Sequence, residues 1–211
     1  MTKDLDFMRT ISDSIKNEIL KRKIVMVEIS ARHIHLSAKD LEIIFGKGSS
    51  LTSKRDLSQP GQYLSEERVN LIGPKSDIKN VAILGPIRNN TQVELSISDA
   101  RLLGIKDITV NESGYLEGAG SVIISGKNGD IEAKNSVIVA KRHVHLRERD
   151  AKEWNIQNGQ IVKVKVYGTR ALIFDEVVAR VSDRFMPAVH IDFDEANACG
   201  LLSQGYGEII L

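Results

Sequence analysis

The sequence predicts a mostly β protein with short helices, built from two similar units of the barrel or sandwich type. Apolar residues alternate along many short segments, and turn signals such as Gly-Pro and Asn-Gly separate these segments. A His-x-His segment also occurs twice, first at His33 and again at His143. Short alternating segments with frequent turns are typical of β-barrels and sandwiches, and the repeated segment indicates two related units.

Residues 1–22 precede the strands and have the spacing of an amphipathic helix. Its apolar residues recur at intervals of three and four, with charged residues between them: Leu5, Met8, Ile11, Ile15 and Ile19. Such a helix either packs on its own protein or docks on a partner. The sequence leaves both interpretations open.

The first half of the chain begins with a Val- and Ile-rich strand at 23–30 that leads into the first histidine pair. Ser37 is the predicted N-cap of a helix that ends at Gly46. The elements predicted next are a long polar loop, two hairpin strands, a third strand and a capped helix at 46–66, 68–72, 78–84, 91–97 and 98–104.

The second half repeats the order of strand, histidine pair and short helix. A hairpin at 121–125 and 131–133 comes first. The strand, helix, three further strands and final helix are predicted at 135–140, 148–154, 161–167, 171–181, 186–192 and 194–200.

Composition narrows the classes of function. A net charge of +1 and few aromatic residues disfavour nucleic-acid binding. No apolar run approaches the length of a membrane span and no signal peptide opens the chain, so we expect a cytoplasmic protein without a membrane partner. Cys199 is the single cysteine, which excludes an internal disulfide and a cysteine-rich zinc site.

Four of the five histidines lie in the two pairs, at His33, His35, His143 and His145. Residues i and i+2 of a strand point to the same face, so each pair places two imidazoles side by side. Neutral imidazole is a common zinc ligand. Half-buried histidines bonded to the backbone would be the alternative, but the repetition of the pair favours metal binding.

The fifth histidine, His190, lies on an alternating segment and completes a three-histidine set with His143 and His145. Three protein ligands and one open position are usual for catalytic zinc. The pair His33 and His35 lacks a third histidine, and its best carboxylate partner is Glu94, which alternates with apolar residues. A glutamate on a strand can equally face solvent.

Arg88 lies between a Gly-Pro turn and the segment that carries Glu94. A guanidinium beside a metal is a good clamp for an oxyanion or a phosphate, although an ordinary surface arginine is the alternative. Arg32 and Arg142 precede the two histidine pairs; they could also bind anions, but the structural interpretation is favoured. Cys199 is interpreted as a small buried apolar residue.

Other families that use His-x-His fit poorly. A metal-dependent amidohydrolase needs a longer (β/α)₈ barrel. A metallo-β-lactamase-like enzyme needs an Asp-His after the pair, where this chain has Leu36-Ser37 and Leu146-Arg147. A cupin needs a glutamate soon after the pair, and Glu42 lies beyond a helix start.

Several motifs, in order, resemble the PduL-type phosphate acyltransferases, the phosphate propanoyltransferases. The resemblance runs from about residue 24 to 200 and rests on the segments at 30–37, 58–63, 84–88, 91–94, 99–105, 142–145 and 190–198. It implies two β-barrels capped by short α-helices. It also implies a central barrel over 32–140 and a second, discontinuous barrel formed by 23–31 plus 141–211.

The resemblance further implies the reversible reaction of acyl-CoA with phosphate to give acyl phosphate and coenzyme A, on a short chain such as propanoyl or acetyl. It implies two zinc ions per chain and no protein nucleophile. His33, His35 and Glu94 would bind the zinc that takes the coenzyme A sulfur. His143, His145 and His190 would bind the zinc that faces phosphate, and Arg88 would contact phosphate as the catalytic residue.

Members of such a family that work in bacterial microcompartments, as in propanediol or ethanolamine degradation, often carry an amphipathic leader. From the resemblance we therefore also expect a shell or cargo partner for residues 1–22 and a location in the microcompartment lumen. We further expect a homodimer. Two other functions stay open at this stage, namely a zinc-dependent thioester hydrolase and a non-catalytic barrel that binds metal or coenzyme A.

Overall fold

A computed structural model describes residues 2–106 and 108–211 of the chain. Its helices within these residues are α1 (Thr2–Lys21), α2 (Ala38–Phe45), α3 (Ile97–Leu103), α4 (Glu148–Trp154) and α5 (Phe193–Cys199). Its strands are β1 (Ile24–Ser30), β2 (His33–His35), β3 (Ser53–Asp56), β4 (Tyr63–Ile72), β5 (Asp77–Gly85), β6 (Gln92–Glu94), β7 (Val110–Asn111), β8 (Gly120–Ser125), β9 (Asp130–Ala140), β10 (His143–Leu146), β11 (Ile161–Tyr167), β12 (Leu172–Val181), β13 (Ala188–Asp192) and β14 (Gly205–Ile210).

The first barrel closes through six strands in the order β4-β5-β2-β6-β9-β8, because β8 pairs with both β9 and β4. Strand β2 is parallel to β5 and antiparallel to β6. Strands β3 and β7 extend this sheet at β4 and β9. Aliphatic side chains fill the interior, including Ile34, Leu36, Leu71, Ile83, Val93, Ile124 and Val137.

The second barrel also closes through six strands, in the order β11-β12-β10-β13-β1-β14. Strand β10 is parallel to β12 and antiparallel to β13, as β2 is to β5 and β6. In this barrel β1 takes the place that β9 has in the first, and β14 takes the place of β8. The predicted class of two barrels with short helices, a duplicated unit and an N-terminal helix is therefore confirmed.

Contacts divide the chain into two compact units. One contains residues 1–28, 142–190 and 197–211, and the other contains residues 29–141 and 191–196. The boundaries expected from the sequence were 31/32 and 140/141, with 191–196 assigned to the second barrel. Each unit therefore contains segments that are distant along the chain, whereas the strands of the first barrel all come from residues 33–140.

The helix that follows each histidine pair begins where the sequence predicts it. Ser37 has extended backbone angles and its hydroxyl accepts a hydrogen bond from the Asp40 N–H, so it caps α2. The helix ends at Gly46, whose φ of 106° favours glycine. In the second unit α4 ends at Asn155 in the left-handed conformation.

Two expected elements differ from the structure. The polar segment predicted as a loop over 46–66 contains strand β3 and the start of β4. The four side chains of β3 are all exposed, so no alternation of apolar residues marks it as a strand. The strand predicted over 91–97 is only three residues long, because Ser96 caps α3 and forms a capping box with Asp99.

The N-terminal helix is present as α1, and the apolar side chains that defined it are exposed, from 39% at Ile11 to 66% at Leu5. Met1 lies outside the described residues. None of the helices in the described part of the chain combines the length and apolar character that crossing a bilayer requires.

Candidate metal centres

The two histidine pairs occupy the same position in their barrels. In the first barrel β2 aligns His33 opposite Glu94 on β6. In the second barrel β10 aligns His143 opposite His190 on β13. Glu94 therefore stands where the other unit has its third histidine. The third member of each set thus comes from the same position, as a carboxylate in one unit and as an imidazole in the other.

The first set contains His33, His35 and Glu94, with one donor atom of each within 4.8 Å of the others. His33 Nε2 lies 3.5 Å from Glu94 Oε2. Two ligand atoms bound to one tetrahedral zinc at 2.0–2.2 Å lie roughly 3.4 Å apart. The spacing is therefore the one that a shared ion requires.

Backbone carbonyls orient the imidazoles of the first set. His33 Nδ1 is 2.8 Å from the Ala31 oxygen, and His35 Nδ1 is 3.2 Å from the Leu84 oxygen. In the neutral ring a proton on Nδ1 makes this hydrogen bond and leaves Nε2 with its lone pair. Such an outer contact is typical of metal-binding histidines.

The second set contains His143, His145 and His190, whose donor atoms also lie within 4.8 Å of one another. The three rings are mutually in contact, with centroids 4.8 to 5.1 Å apart. Glu28 Oε2 lies 3.7 Å from His190 Nδ1. Phe185 stacks on the ring of His145 with centroids 4.1 Å apart and covers it.

Burial keeps two of the imidazoles neutral. It is the main cause that lowers the pKa of His35 to about 2, and the nearby His33 and Arg88 act in the same direction. Burial likewise lowers the pKa of His145 to about 3, with contributions from His190 and Arg180. Both rings are therefore unprotonated at pH 7, which is the form that binds a metal ion.

Both sets fit a zinc ion by the chemistry of their donors. His145 Nδ1 is buried and has no hydrogen-bond partner among the described residues. A buried polar atom without a partner is costly, and a bound cation would satisfy it. Three nitrogens, or two nitrogens and one carboxylate oxygen, are the ligand sets of zinc centres that keep one position open for another ligand.

Arg88 lies on the segment that leads from β5 to β6, in the same unit as the first set. Its backbone N–H donates to the Leu36 oxygen at 2.9 Å, just beyond the histidine pair. Its guanidinium donates to the Ser113 hydroxyl at 3.2 Å, and that hydroxyl donates to Glu94 Oε1 at 2.6 Å. One hydroxyl therefore connects Arg88 with the carboxylate of the first set.

The other residues that the sequence singled out have structural contacts. The guanidinium of Arg32 pairs with the buried carboxylate of Asp99. Its Nε lies 3.0 Å from Oδ2 and its Nη2 lies 3.0 Å from Oδ1. The guanidinium of Arg142 lies over the ring of Phe174 at 5.3 Å. Cys199 is fully buried.

Sequence reasoning missed Ser113 and Gln92. Gln92 precedes Glu94 by two positions, so the strand alternation that suggested Glu94 also places Gln92 on its face. Ser113 lies in a turn that is distant along the sequence from the other residues, and no local pattern marks it.

Comparison with known proteins gives one consistent result. The family model described as phosphate propanoyltransferase matches residues 26–202. The chain is 46% identical over 205 residues to a phosphate propanoyltransferase of Clostridioides difficile. The aligned residues cover 97% of this chain and 98% of the relative. It is also 46% identical over 208 residues to that of Enterococcus faecalis, with 98% of each chain covered, and 47% identical over 178 residues to that of Thermotoga maritima, with 84% of each covered.

Proposed function

Because the chain belongs to the phosphate propanoyltransferase family, we propose that it uses two zinc ions, and no protein nucleophile, to move a short acyl group such as propanoyl or acetyl. The chain is a phosphate acyltransferase, and its reaction transfers an acyl group between coenzyme A and phosphate. The observation that carries the proposal is the pair of ligand sets at equivalent positions of β2/β6 and β10/β13.

In the forward direction the carbon–sulfur bond of the thioester breaks and a bond forms between the acyl carbon and a phosphate oxygen. The thiolate leaves with the electron pair of the broken bond. Bound zinc would supply positive charge that stabilises this thiolate and the oxyanion that forms at the carbonyl under attack. We assign His33, His35 and Glu94 to a zinc ion that would bind the sulfur, and the three-histidine set to a zinc ion that would bind phosphate.

Arg88 is the residue that we assign to phosphate binding and orientation. Its guanidinium is planar and always charged, and it can present two N–H groups to two phosphate oxygens. The contact with Ser113 fixes one of its nitrogens, Nη1, and so limits the positions of the group. Holding phosphate in one orientation replaces a bimolecular encounter with an effectively intramolecular attack.

The single cysteine is poorly placed to form a covalent acyl-enzyme. Cys199 is fully buried at the end of α5, so its thiol is not available to a bulky thioester. We assign direct attack by phosphate on the thioester, a route that uses only the residues that bind the metal ions and phosphate.

Arg88→Ala is expected to raise the KM for phosphate about 10- to 100-fold, because a charged hydrogen bond is worth roughly 1.5–3 kcal/mol. The KM for propanoyl-CoA should change much less. Initial rates at varied phosphate would measure both constants, with the exposed Arg55→Ala as the matched control. An unchanged response to phosphate in Arg88→Ala would remove this residue from the site.

We also propose that α1 docks on a shell or cargo protein of a bacterial microcompartment. Its exposed apolar residues support a role in binding. Deletion of residues 1–22 is expected to leave turnover intact and to abolish co-sedimentation with purified shells. Equal co-sedimentation of the shortened chain would contradict the proposal, and loss of folding on deletion would favour a helix that caps its own barrel.

A further inference from the structure

The hydroxyl of Ser113 uses its full capacity for hydrogen bonding. It donates to Glu94 Oε1 at 2.6 Å, and it accepts from Gln92 Nε2 at 2.9 Å and from Arg88 Nη1 at 3.2 Å. A serine hydroxyl has one proton and two lone pairs. All three are therefore engaged by residues of the candidate site or its immediate neighbours.

Gln92 is buried, and both hydrogens of its amide are used in hydrogen bonds. Nε2 donates to Glu94 Oε1 at 2.6 Å and to Ser113, while Oε1 accepts from the Gly114 N–H at 2.8 Å. The bond to Gly114 holds the turn that carries Ser113 against β6. Gln92 thus fixes both the serine and the carboxylate.

These contacts distinguish the two oxygens of Glu94. Oε1 accepts from both Ser113 and Gln92, whereas Oε2 faces His33 Nε2 at 3.5 Å. Two donors at one oxygen hold the carboxylate plane and reduce the capacity of that oxygen for a cation. Oε2 is then the one carboxylate oxygen left to share a cation with the two imidazoles.

We propose that Ser113 and Gln92 are positioning residues. They hold Glu94 as a one-oxygen metal ligand and tie its orientation to that of Arg88. The inference rests on the proposed function only for the role of Arg88 in phosphate binding, because the effect on the metal ligand follows from the hydrogen bonds of Glu94. Loss of the serine hydroxyl then weakens two properties together, namely metal affinity at this set and use of phosphate.

The test measures both properties. Zinc affinity of the first set is measured by competition with a chromogenic chelator in a His190→Ala background, which isolates that set. Phosphate KM is measured in the otherwise native chain. Ser113→Ala is expected to weaken zinc binding about 10- to 100-fold, the usual effect of losing an outer partner of a ligand, and to raise the KM for phosphate severalfold.

Conservative and control variants separate positioning from general damage. Ser113→Thr keeps the hydroxyl and should restore both properties, and Gln92→Met, which removes both donors, should weaken zinc binding as Ser113→Ala does. Ser121→Ala, whose hydroxyl accepts from the Asn135 N–H instead, should match the native chain. Native zinc affinity in both Ser113→Ala and Gln92→Met would overturn the inference.

Failure of the proposed function can be distinguished from failure of this inference. If the native chain releases thiol equally well without phosphate, the proposed function fails, and the zinc affinities still decide whether Ser113 and Gln92 position Glu94. If zinc binding weakens while the phosphate KM stays native, the link to Arg88 is wrong.

Discussion

His190→Ala is expected to lower phosphate-dependent turnover by about 10³-fold or more, beyond the 10²–10³-fold cost of removing a single donor from an oxyanion site. His190 is opposite His143 on the neighbouring strand, and its ring contacts both other histidines of its set. With two ligands left, this set no longer holds zinc tightly. Metal analysis should show that zinc falls from about two ions per chain to about one, while the fold persists by circular dichroism.

His190→Asn is a useful companion variant, since it keeps a polar side chain and removes the imidazole. Both variants should lose the same metal ion. Near-native turnover in His190→Ala, with a full complement of zinc, would contradict the assignment of the three-histidine set.

Glu94→Gln is expected to have an effect of similar size, on the order of 10³-fold in turnover. The substitution keeps the shape of the side chain but removes the negative charge, and it places an amide where Oε1 now accepts two hydrogen bonds. A neutral amide is a poor zinc ligand compared with a carboxylate. The second set should keep its ion, so the variant should again hold about one zinc per chain.

Glu66→Gln is the matched control for Glu94→Gln, because Glu66 is an exposed strand glutamate that pairs with Lys54 at 3.7 Å. It should retain full zinc and native turnover. If Glu94→Gln retained both ions and native turnover, Glu94 would be a structural residue and the first set would be wrong.

The candidate site shows which information the sequence carries. The i, i+2 spacing of each histidine pair requires only that the segment be a strand, so His33, His35, His143 and His145 were identifiable locally. The third residue of each set could not be identified locally, because it lies on a neighbouring strand and the register depends on which strands pair. Strand alternation suggested Glu94 and His190, but only the pairing of β2 with β6 and of β10 with β13 places each beside its histidines.

Elements with weak apolar patterns were the ones that sequence reasoning misplaced. Strand β3 has four exposed polar residues and pairs with β4. Strand β6 is cut to three residues by the capping serine that starts α3. Ser113 contributes to the site through a turn, and tertiary contacts alone bring it to Glu94.

The decisive experiment measures thiol release from propanoyl-CoA and acetyl-CoA, with and without inorganic phosphate, on protein of known zinc content. We expect release that depends on phosphate, with one acyl phosphate formed per thiol, and loss of that release when zinc is removed. Equal release without phosphate would show a thioester hydrolase and contradict acyl transfer to phosphate. Absence of release from protein that holds two zinc ions would contradict it in favour of a non-catalytic binding protein.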